Sequence, residues 1–140
     1  MSELPSEIYK VHEILNRYIA VHDKIFKFSL RKVVPIPGLF KSIDYGQHFG
    51  ELGSLVSALE RVVNSTSNRA DVPGVFQRYA SALIKAMQSL RDMCKQLHDK
   101  SQGDLQSYTA HQYKSDVAIY DKLVEEYRSL GSTLNEYIRR

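Results

Sequence analysis

Five histidines, one cysteine and nine tyrosines are the side chains of this 140-residue chain that first suggest chemistry. His48 and Glu51 stand three apart, so on a helix they share a face, and His111 and Asp116 have four residues between them. A carboxylate-bridged di-iron bundle needs a Glu-x-x-His motif on each of two helices and a further Glu from each of two others. The chain has no Glu-x-x-His, and His98 falls near a helix end. No metal ligand is therefore expected, and the histidines read as surface and seam positions. His22 lies on an apolar seam and reads as a packed, hydrogen-bonded ring. Cys94 sits on another seam between Leu90 and Leu97, where a thiol behaves as a small hydrophobe. Lys95 points elsewhere, so no cation lowers its pKa and no catalytic thiol is expected. Tyr113, Tyr120 and Tyr127 repeat every seven residues. Such a ladder can stack bases, but the simpler reading is a packing seam with hydroxyls at its edge. There is no Gly-x-x-x-x-Gly-Lys loop and no Ser-His-Asp elbow, and "YGQHFGELG" reads as the start of a helix. These residues predict no enzyme, no catalytic residue and no cofactor.

The segment "LRKVVPIPGLFKS", residues 30–42, stands apart. Lys24, Lys27, Arg31, Lys32 and Lys41 form a cationic run with no Asp or Glu before Asp44. Val33, Val34, Ile36, Leu39 and Phe40 are apolar side chains that a connector normally buries or avoids. Pro35 and Pro37 forbid a regular helix through the middle. One reading is a helix connection folded back over the end of the core. A second is an interfacial contact: the apolar residues dip into a bilayer while the cations meet anionic headgroups, at about 1 kcal/mol per basic residue. A third is docking onto a protein partner.

The totals narrow the classes. Net charge is +3 and 25% of the residues are charged, which excludes a disordered polymer and argues against a continuous track for nucleic acid. A single cysteine leaves no internal disulfide and points to a reducing, cytoplasmic setting. No run of 18 apolar residues exists to span a bilayer, and "MSELPSEIYK" has no apolar signal core. Any membrane association is expected to be peripheral.

The elements that position these residues are four helical runs within one domain spanning residues 1–140. The first starts near Ser6, a candidate N-cap, with the seam Ile8, Val11, Leu15, Tyr18, His22 and Ile25. The second carries Phe49, Leu52, Val56, Leu59 and Val63 and ends in the polar linker "NSTSNRADVPG". The third carries Phe76, Ala80, Leu83, Met87, Leu90, Cys94 and Leu97. The fourth carries Tyr113, Val117, Tyr120, Val124, Tyr127, Leu130 and Leu134. Spacings of three and four put each set on one helix face and favour shallow, coiled-coil-like crossings. The expected fold is all-α, an antiparallel long-helix bundle or coiled coil. Residues 98–108, "HDKSQGDLQSY", leave two alternatives. Gly103 caps the third run and Asp104 starts the fourth, giving an up-down four-helix bundle. Otherwise Gly103 is a weak spot costing about 1 kcal/mol, and residues 73–140 form one bent rod of roughly 100 Å.

The stretches "FGELGSLVSALERV", "VFQRYASALIKAMQSLRDMCKQL" and "DLQSYTAHQYKSDVAIYDKLVEEYRSLGSTL" carry Phe49 and Gly50, then Phe76, Tyr79, Ala80 and Leu83, then Lys114, Tyr120, Asp121, Lys122, Glu126 and Tyr127. Over residues 8–137 this pattern resembles the first two-thirds of a BAR domain, of the type that precedes PH domains in Arf GTPase-activating and adaptor proteins. The resemblance implies long kinked helices, an antiparallel crescent-shaped homodimer and membrane binding through a basic concave face.

The sequence thus predicts a non-enzymatic, dimeric helical module that binds anionic membrane lipids through the basic run. The alternative is a helical-bundle interaction or assembly scaffold that binds a protein partner without a membrane.

Overall fold

The computed structural model describes residues 6–29, 44–101 and 108–139, and the side chains of these except 27–29, 101 and 139. Every regular element among them is a helix: α1 (Ser6–Ser29), α2 (Tyr45–Thr66), α3 (Gly74–Ser101) and α4 (Ala110–Arg139).

Local chemistry sets the helix ends. The Asp44 carboxylate accepts from the Gln47 backbone N–H at 2.9 Å and caps α2, so "YGQHFGELG" does open a helix. Thr109 caps α4: its Oγ1 accepts from Gln112 N at 3.1 Å, and Gln112 Oε1 accepts from Thr109 N at 2.9 Å. This reciprocal pair is a capping box. The fourth helix therefore begins at Ala110, not at Asp104. Ser6, the first described residue of α1, is helical. The polar linker after α2 is a turn. Thr66, the last residue of α2, donates its hydroxyl to the Val62 carbonyl at 2.8 Å and accepts from Gln77 Nε2 at 2.6 Å.

The helices run up, down, up, down. Glu7 at the start of α1 pairs with Arg69 just beyond the end of α2, and Tyr79 near the start of α3 meets Tyr127 and Gly131 far along α4. α4 thus returns along α3, so the last two runs are two packed helices and not one bent rod. α3 is the central element and packs on α2, α4 and part of α1. Its expected seam is the core: Phe76, Ala80, Leu83, Met87, Leu90 and Cys94 are fully buried. α1 buries a wider arc than one seam, because Ile14, Val21 and Phe26 join Ile8, Val11, Tyr18 and Ile25. It faces both α2 and α3, which requires a broad apolar stripe. α4 buries less. Tyr120, Tyr127 and Leu134 reach the core, while Tyr113, Val117, Val124 and Leu130 are half-buried.

Candidate functional site

The α1 and α4 backbones hardly meet. The seam between them has two halves that differ in chemistry. Near the end of α1 it is closed by side chains alone. The Tyr18 and Tyr120 hydroxyls share a short hydrogen bond, and Tyr120 Oη lies 2.7 Å from His22 Nδ1. Phe26 stacks on the Tyr120 ring at 5.4 Å, and Tyr127 lies 6.0 Å from Tyr18 and 6.3 Å from Tyr79. Tyr18 and Tyr120 are fully buried. Burial pushes both phenols well above the ordinary tyrosine range, so each keeps its proton. Burial also lowers the His22 pKa; Asp23 and Asp121 pull against that shift, and Arg128 adds to it. The neutral ring leaves one satisfied chain, running either from Tyr18 through Tyr120 to His22 or in reverse with the other tautomer. His22 is thus a packed, hydrogen-bonded ring, and the tyrosines at 120 and 127 are packing groups.

Towards the start of α1 the same seam is open. A groove of about 590 Å³ lies between the first half of α1 and the last half of α4. Ile8, His12, Leu15 and Ile19 form one wall, and Arg128, Ser132, Asn135 and Ile138 form the other. Phe76, Tyr79, Tyr127 and Leu134 form the floor. Gly131 brings the floor close: a Cβ there would stand 3.2 Å from Tyr79 Cε2, so the ring rests against the α4 backbone. At the rim Tyr9 is 61% and Ile19 40% exposed, large apolar surfaces left in water.

Of the residues in the expected membrane-contact site, Lys24 is exposed on α1. Lys27 lies in the final turns of the same helix, its side chain outside the described residues. Arg31, Lys32, Val33, Val34, Ile36, Leu39, Phe40 and Lys41 all lie outside the described residues, as does Gly103.

The other candidates separate. Cys94 is buried, and that burial raises its thiol pKa to about 12, which keeps it protonated and unreactive. His48 faces the core, 3.6 Å from Glu51, and its Nδ1 has no hydrogen-bond partner among the described residues. Asp116 lies near His111 and accepts the Tyr108 hydroxyl at 2.7 Å. Among the described residues no group of three His, Cys, Asp or Glu side chains could hold a metal ion. No described helix is long and apolar enough to cross a membrane.

Sequence reading found His22, Tyr120 and Tyr127 but not the groove. Its walls use Leu15, which reads as an ordinary seam position, and Ile19 and Ile138, which fall outside the expected seams. No family model, curated protein or solved structure matches this chain.

Proposed function

We propose that this chain is a non-enzymatic docking module whose open α1–α4 groove receives an apolar surface of a partner. One observation carries the reading: a three-turn trough, floored by Phe76, Tyr79 and Leu134 and rimmed by Tyr9 and Ile19, whereas the cleft between α1 and α2 is lined by charged side chains such as Lys10, Glu13, Arg17 and Arg61. Grooves of this kind hold partners by burying apolar area, about 25 cal/mol per Å² before the costs of association. The test uses fluorescent peptides of about four helical turns with a leucine face and uncharged flanks. Saturable binding that Ile19→Asp removes, with helix content unchanged, supports docking. A folded protein that binds none of them overturns it.

A second reading rests on the cations. Lys24 is exposed on α1 and opens the run that continues through Lys27, Arg31, Lys32 and Lys41. Such a run attracts anionic headgroups, and the BAR-like resemblance would make the bound form a homodimer. The return of α4 along α3 favours a compact bundle over a rod, so this reading ranks second. Co-sedimentation with anionic vesicles, weakened by salt and lost when the five cations become Glu, supports it. Equal binding to neutral vesicles counts against it.

A further inference from the structure

We infer that the partner of the α1–α4 groove is an amphipathic helix of about three turns with acidic residues flanking its apolar face. The inference rests on the docking reading and adds the shape and charge of the occupant.

Shape comes from the walls. Ile8, His12, Leu15 and Ile19 are spaced by four, three and four residues along α1. The α4 wall, from Arg128 through Ser132 and Asn135 to Ile138, is spaced by four, three and three residues. Each wall is roughly 16 Å long at 1.5 Å per residue. Two antiparallel ridges of three-and-four spacing leave a furrow into which the ridge of another helix fits. An apolar helix face with anchors at i, i+3 or i+4, and i+7 matches such a trough.

Charge comes from how the ionisable groups are sorted. Among the described residues, the groove lining contains Arg128 on one wall and His12 on the other, and no carboxylate. Arg128 makes no ion pair with another described residue. Asp23 and Asp121 act on His22 in the closed half, as Arg128 also does, but neither acid lines the groove. The charged residues Lys10, Glu13 and Arg17 line a separate cleft between α1 and α2. The groove therefore presents an apolar floor beneath a cation that no described carboxylate pairs with. Complementary acids on the occupant meet favourable potential there, and basic flanks are repelled.

The experiment compares three labelled peptides with the same leucine face and flanks of Glu, Gln or Lys, titrated with the full chain. The Glu peptide is expected to bind about tenfold more tightly than the Lys peptide at low salt, with the gap shrinking as salt is added. Arg128→Glu should reverse the order while leaving the circular dichroism spectrum unchanged. Equal binding of all three overturns the charge assignment and leaves docking intact. Binding of none removes the docking reading and this inference together. Displacement of bound peptide by sub-stoichiometric single-chain fatty acid would assign the groove to a lipid and overturn the helical partner. Light scattering that shows a dimer dissociated by Ile19→Asp would assign it to a second copy and overturn it equally.

Discussion

The two halves of the α1–α4 seam bring together the same pair of helices by opposite means. In the closed half, Tyr18, His22 and Phe26 of α1 bridge to Tyr120 and Tyr127 of α4 through rings and hydroxyls. In the open half the α1 wall is mostly aliphatic, with Ile8, Leu15 and Ile19 beside His12, and the groove stays open there. Large aromatics fill a wide separation and carry their own polar satisfaction; branched aliphatics need their neighbour at close range. The difference teaches that one seam can hold a bundle together at one end and leave a binding surface at the other.

If the closed half is structural, its removal should be costly. Tyr120→Ala deletes a fully buried ring and orphans two polar partners. Its unfolding free energy in denaturant should fall by about 3–5 kcal/mol. Tyr120→Phe keeps the ring and loses only the hydroxyl, so about 1–3 kcal/mol should be lost by the same measurement. Tyr18→Phe should cost less than Tyr120→Phe, because the Tyr120–His22 bond survives.

Acid probes the same half more gently. The folded state lowers the His22 pKa below the ordinary 6.5 through burial, so the unfolded chain binds more protons as pH falls. The stability contributed by neutral His22 is complete above pH 6.5 and declines as pH drops towards the folded-state pKa. Melting temperatures measured across this window should show that slope, and His22→Gln should flatten it. A slope unchanged by the substitution would assign the effect elsewhere.

The open half should behave in the opposite way. Ile19→Asp is expected to change stability by no more than about 0.5 kcal/mol while removing peptide binding. A loss of several kcal/mol would mean that this wall supports the fold, and the contrast between the halves would fail.

The α3 core was legible from the sequence because a helix surrounded on most sides shows its seam cleanly, from Phe76 through Cys94. On α1 a single stripe missed Ile14, Val21 and Phe26, since periodicity locates the centre of a buried arc but not its width. On α4 it marked Val117, Val124 and Leu130 as seam residues, yet they are only half-buried. An apolar face shows what seeks cover and not what provides it. The start of α4 was available in the Thr109-Ala-His-Gln112 capping box. Gly103 and Asp104, the residues expected to turn the chain, lie upstream of it and outside the described residues. The Tyr18–Tyr120 pair joins positions 102 residues apart, which no local pattern encodes. The only hint was that polar tips at Tyr18 and His22 on an apolar stripe require partners.

The turn between α2 and α3 holds one further consequence. Arg69 grips Asp71 through two nitrogens and reaches Glu7 in the first turn of α1 at 2.6 Å. α1 is therefore tethered by half-buried ions at its beginning and by buried phenols and a half-buried imidazole near its finish. Mobile counterions weaken the first tether and hardly touch the second, whereas protons act on the second through His22. A concentrated electrolyte and a mildly acidic buffer would thus unfasten opposite ends of one helix, and the trough beside it would widen from different directions.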